Sequence, residues 1–154
     1  MIEGTDGVGR STHIALLRTW LESRGHAVLD TGMTRSVLAG RGIKEAKTGH
    51  TLGRLTMQLF YASDFVDRLE NEMLPALRAG FVVLTDRYIY SSMARAEVRG
   101  IDSAWIRSIY EMALVEHIPV FPLPGTGGNA KTAFDDIMEA FGRVKRYQIG
   151  RAHV

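Results

Sequence analysis

The 154-residue chain has no cysteine, which excludes disulfides, thiolate metal sites and cysteine nucleophiles. It has little net charge, +2 at pH 7, too small a basic excess to argue for a nucleic-acid or membrane-surface partner. It lacks any apolar run near the roughly 18 residues of a membrane helix, and no signal-peptide pattern opens it. It also lacks internal repeats and a domain linker. What remains is ordinary globular usage, 45% hydrophobic and 23% charged, which argues against disorder. A chain this long buries roughly 70% of its unfolded surface, so its core needs no staples. The expectation is a cytoplasmic domain with neither nucleic acid nor membrane as partner.

One domain is expected over residues 1–148, cut at both ends. The start enters a glycine-rich loop after two or three strand-compatible residues, where a strand usually runs about 5–6. Part of the first strand is therefore expected to be missing. Residues 149–154, Ile-Gly-Arg-Ala-His-Val, resemble a translated adaptor and are set aside like a tag.

Between these ends, strand and helix patterns alternate. Residues 10–23 read as a helix, with Ile14, Leu17 and Leu21 at helical spacing. Ala27-Val28-Leu29 reads as a buried strand broken by Thr31-Gly32. A helix at 36–47 is expected, then a long one from about 52 to 77, stopped by Gly80. Phe81-Val82-Val83-Leu84 is continuous rather than alternating, as in a parallel sheet covered on both faces. Asp102 can cap a helix reaching about residue 115, and residues 118–121 form a weaker strand pattern. A turn-rich loop at 122–128 and an amphipathic helix at 131–147 complete the chain. Such alternation indicates an α/β domain with a parallel sheet.

The chemistry lies in the opening loop. Gly4-Thr5-Asp6-Gly7-Val8-Gly9-Arg10-Ser11 fits the phosphate-binding pattern G-x-x-x-x-G-K-[ST], with Arg10 standing where lysine is expected. Glycines let the backbone approach a phosphate, successive N–H groups form a nest open to an anion, and the following helix adds its positive end. Ser11 is where a hydroxyl would bind the magnesium ion of ATP, and Arg10 is where a cation would reach the β and γ phosphates. Arginine keeps its charge but carries a bulkier fork than an ammonium, so phosphate binding is expected to survive while turnover could weaken. After the best strand, Asp86-Arg87 puts a carboxylate and a guanidinium at the edge where ligands sit in open α/β sheets. An Asp there can hold magnesium and an Arg a second phosphate; the plainer alternative is a local salt bridge.

With these residues in hand, the chain resembles the thymidylate kinase family of nucleoside monophosphate kinases. The likeness rests on Glu3 to Thr12, on Leu59-Phe60-Tyr61-Ala62, and on Asp86-Arg87-Tyr88 with Ser91-Ser92. It covers about residues 2–118. It implies a P-loop NTPase-like fold, a three-layer arrangement with helices on both faces of the parallel sheet, here incomplete. It implies transfer of the ATP γ-phosphoryl to a deoxynucleoside monophosphate, with Mg2+ as cofactor, and it allows a homodimer. On this resemblance Gly4 to Thr12 would hold ATP, and Ser11 and Asp86 would organise the metal. Arg10, Asp86 and Arg87 would be catalytic, and Asp6, Arg35, Phe60 and Arg87 would meet the acceptor.

Two positions depart from the family pattern. Asp64 stands where an arginine usually reads the pyrimidine edge, and Arg95-Ala96 replaces a tyrosine-glutamine pair near the base. Arg68 lies one turn beyond Asp64, so an i,i+4 ion pair on a solvated face is expected. Arg143, Lys145 and Arg146 are either lid remnants or the wet face of a helix. A nucleotide-binding module without kinase activity stays open as the alternative.

Overall fold

The structure, a computed structural model, describes residues 1–111 together with the backbone of residues 121–122. The expectations for residues 123–154 lie outside the described residues, as do residues 118–120; the helix expected from Asp102 toward residue 115 instead ends at Ile109, with Tyr110 as its C-cap.

Among the described residues there are four parallel strands. They are β1 (Ile2–Glu3), β2 (Val28–Gly32), β3 (Val82–Asp86) and β4 (Phe121–Pro122), in the order β2-β3-β1-β4. Ile2 lies opposite Asp86, so the strand feeding the loop is the direct neighbour of the strand ending in Asp86-Arg87. Helices cover both faces, and the strands show why. Successive side chains alternate across a sheet. Ile2 and Leu84 pack with Ile14, Leu17 and Leu21 of α1 (Arg10–Glu22) on one face. Met1 and Val83 join a second cluster on the other. There Ala62 and Phe65 of α3 (Arg54–Arg68) meet Ile89 and Ala96 of α5 (Ile89–Val98) and Ile106 of α6 (Ser103–Ile109). This is the expected three-layer α/β arrangement.

Four other local readings differ from the outcome. Thr31 and Gly32 do not end β2: both pair in register with Thr85 and Asp86 of β3, and the sheet overrides their turn propensity. A Cβ at Gly32 would lie 3.0 Å from both Cβ and O of Asp86, so glycine lets the two strand ends approach. The helix at 36–47 is α2 (Leu38–Gly49), shifted by two residues. The long helix over 52–77 is α3, then a π turn at Leu69–Met73, then α4 (Leu74–Arg78). Pro75 has no N–H and its ring crowds the carbonyl one turn back, so the ladder widens just before it. Finally, α5 is a helix the sequence pattern did not reveal.

Candidate active site

Glu3 ends β1, the loop occupies residues 4–9, and α1 starts at Arg10. Gly7 (φ 85°) and Gly9 (φ 82°) take left-handed conformations that cost a side chain about 1–2 kcal/mol. Gly9 caps α1 without a side-chain hydrogen bond, and the first turn carries no acid. The positive end of the helix is therefore not quenched by its own sequence.

Arg10 does not extend into solvent. Its Nε donates to Asp86 Oδ1 at 2.7 Å, Nη1 to the Gly4 carbonyl at 2.8 Å and also to the Thr5 carbonyl, and Nη2 to Asp6 Oδ1 at 3.3 Å. Burial works to lower the Arg10 pKa, but hydrogen bonding to Asp86 and Asp6 outweighs it and raises the group above its ordinary value. The loop thus rests with its own cation folded across it, tied to the end of β3.

Past Asp86, the chain turns sharply. Arg87 has φ 67°, unusual for a residue with a side chain. Its N–H donates to the Ile2 carbonyl at 2.9 Å, and its carbonyl accepts the Thr85 hydroxyl at 2.7 Å. Glu3 holds the next step: Oε1 accepts the Tyr88 N–H at 2.8 Å and Oε2 accepts the Ser91 hydroxyl at 2.5 Å. Glu3 therefore caps α5 from another strand and, with Ile2 and Thr85, sustains the strained turn that presents Arg87. Glu3→Gln is expected to cost about 1–3 kcal/mol, because an amide forfeits a charge-assisted bond. A lower urea midpoint with unchanged slope would bear this out; an unchanged midpoint would remove the capping role.

The Arg87 side chain crosses to Asp6, Nη2 to Oδ1 at 2.5 Å. Arg87 first, then the Arg10 hydrogen bond, holds Asp6 below the usual carboxylate range. Burial, the nearby Arg95 and Arg10 together lower the Arg87 pKa.

The opposite wall follows β2. Thr34 has φ 65°, and its N–H donates to Asp64 Oδ2 at 2.8 Å; the Ser36 N–H donates to Asp64 Oδ1 at 3.0 Å. Arg68 Nε meets Asp64 Oδ2 at 3.2 Å. The expected i,i+4 pair exists, but the solvated face does not: both side chains are 1% exposed. Backbone donors from the loop after β2 satisfy the carboxylate, which is what allows it inside. Arg35, carried by the same loop, pairs with Asp30 at 2.9 Å.

Between these walls lies a cavity of about 220 Å³, lined by five cations, Arg10, Arg35, Lys47, Arg87 and Arg95, against two carboxylates, Asp6 and Asp86. The structure thus brings Asp6, Arg10, Arg35, Asp86 and Arg87 together. Ser11 and Thr12 are exposed in the first turn of α1, and Val8 packs on the α1 cluster. Phe60 stands apart: it is half-buried and does not line the cavity. Its ring lies against α2, where a Cβ on Gly42 would come within 2.7 Å of it. Lys47 and Arg95 were not anticipated as cavity residues. The sequence singles out Arg95 only as a departure from the family pattern near the base; its place in the cavity follows from α5.

The sequence profile described as thymidylate kinase matches residues 2–121. The chain is 42% identical over 112 residues to a probable thymidylate kinase 2 of Saccharolobus solfataricus, covering 73% of this chain and 52% of that protein. It is 32% identical over 162 residues to a probable thymidylate kinase of Thermococcus gammatolerans, covering 94% of this chain and 78% of that one. A crystal structure of thymidylate kinase from Ehrlichia chaffeensis shares the fold, with TM-score 0.68 and 20% identity over 94% of this chain and 84% of that chain. The chain spans about half the length of the Saccharolobus relative. A family match over most of the chain, joined to a glycine loop in contact with the Asp86-Arg87 strand end, leads to one conclusion: the chain belongs to the thymidylate kinase family.

Proposed function

We propose that the protein transfers the γ-phosphoryl of ATP to a deoxynucleoside monophosphate, with thymidylate the first acceptor to test. The observation that carries this reading is the 2.7 Å contact between the loop cation Arg10 and Asp86, which sets both halves of a phosphoryl-transfer site side by side. The loop N–H groups and the open end of α1 would cradle the ATP phosphates. Arg10 would exchange its loop carbonyls and carboxylates for the β and γ phosphates. Arg87 and Arg35 would grip the acceptor phosphate, and Asp6 would accept a hydrogen bond from the sugar hydroxyl. Phe60 would flank the base only if the acceptor reaches past the cavity toward α2.

The acceptor phosphate oxygen bonds to the γ-phosphorus while the bridging β–γ oxygen leaves with ADP. No covalent enzyme intermediate is needed, so positioning and charge neutralisation carry the catalysis. The Ser11 hydroxyl and the Asp86 carboxylate are hard oxygen donors that fit magnesium, provided ATP phosphates and water supply the other ligands. When bound, magnesium would neutralise charge on the β and γ phosphates. Incubation with ATP, magnesium and a panel of monophosphates tests this: diphosphate formation from a deoxynucleotide is the expected result. ATP binding without transfer to any acceptor would leave a nucleotide-binding module instead.

A further inference from the structure

Four of the five cavity cations already have partners. Arg10 holds Asp86 and Asp6, Arg87 holds Asp6, Arg35 holds Asp30, and the Lys47 ammonium lies 5.5 Å from the centre of the Tyr61 ring. The Arg95 side chain makes neither a hydrogen bond nor an ion pair among the described residues, although it is half-buried and lines the same cavity as Arg87. Its direction is fixed by its neighbours on α5. Ser92, one turn before it, is 3% exposed and Ala96, directly after it, is fully buried. Glu3 anchors the start of the same helix through Tyr88 and Ser91. Its charge reaches Asp6 without a direct ion pair and opposes that of Arg87, and a half-buried guanidinium so placed makes sense where an anion completes the site.

We infer that Arg95 is an acceptor-binding residue that grips the acceptor's phosphate together with Arg87. The inference rests on the phosphotransferase reading above and names one more residue of its acceptor site. The cavity's cations outnumber its carboxylates by three, which suits a phosphate monoester dianion better than a neutral nucleoside. Arginine is the side chain for this task, because its planar fork can offer two donors to one phosphate.

The test measures binding without ATP, by titration calorimetry with thymidine 5′-monophosphate and, separately, with thymidine. The proteins are wild type, Arg95→Gln and Arg95→Lys. The expected result is an affinity for the monophosphate about 10–100-fold weaker in Arg95→Gln, with partial recovery in Arg95→Lys and no change for thymidine. Thermal midpoints should stay level or rise in Arg95→Gln, since no structural partner is lost and a like-charge neighbour is removed. Equal losses for nucleoside and monophosphate, or an unchanged monophosphate affinity, would overturn the phosphate assignment while leaving the kinase reading intact. Wild-type protein that binds neither ligand would overturn the acceptor site itself, and this assignment with it.

Discussion

Replacing Arg10 by alanine is expected to lower phosphoryl transfer about 10²–10³-fold while weakening ATP binding about tenfold at most. The loop keeps its N–H nest without the side chain, so much of the ground-state grip on phosphate persists. What disappears is the cation closest to the charge that moves during transfer, and such a cation matters most in the transition state. Arg10→Lys should match or exceed the native protein in turnover. A lysine can follow the β and γ phosphates as a point charge, whereas the Arg10 fork makes bonds to Asp86, Gly4, Thr5 and Asp6 that it must first release. Single-turnover rates paired with equilibrium ATP binding separate these effects. Alanine that equals native protein in both would mean that Arg10 never faces phosphate.

The largest loss of stability should come from Asp64→Ala, about 3–5 kcal/mol, because it strands a buried guanidinium. Arg68 is 1% exposed, and what remains to it is a 3.5 Å hydrogen bond to the Thr31 hydroxyl and the Phe65 ring, whose centre is 5.9 Å from the guanidinium carbon. The substitution also strips acceptors from the Thr34 and Ser36 N–H groups. Against a total stability of about 5–15 kcal/mol, that approaches unfolding. Urea denaturation should show the loss, and joint replacement with Asp64→Leu and Arg68→Met should recover part of it by removing both charges. The recovery is partial because the two loop N–H groups stay without their acceptor. A cost below about 1 kcal/mol for Asp64→Ala would place the pair among exposed i,i+4 pairs, contrary to its burial.

The same residues show what local sequence can express. Glycine spacing in the loop and the apolar run before Asp86 are local signals, and both led to the right edge of the sheet. The i,i+4 spacing of Asp64 and Arg68 announced their contact but not their burial, since the donors that make burial tolerable belong to a loop some 30 residues earlier. Helix α5 escaped notice because Tyr88 is not a capping residue; its cap is Glu3, 85 residues away in the chain. The left-handed turn at Arg87 is likewise enforced by the Ile2 carbonyl and the Thr85 hydroxyl, not by a glycine. Arg95 was visible as a departure from the family pattern, yet only the packing of α5 reveals which way it faces.

The Glu3–Ser91 contact spans 88 residues, and it has a kinetic meaning. Bringing such distant segments together spends chain entropy before any contact repays it, so pairings of this kind slow folding and form late. The short strand β1 is the clasp of the whole edge: until it slots in beside β3, the loop, the Arg87 turn and the start of α5 have no common frame. A ligand that touches both loop and turn then binds only the fully closed chain, and it stabilises that chain by mass action in proportion to its saturation. Nucleotide occupancy would therefore hold this edge closed.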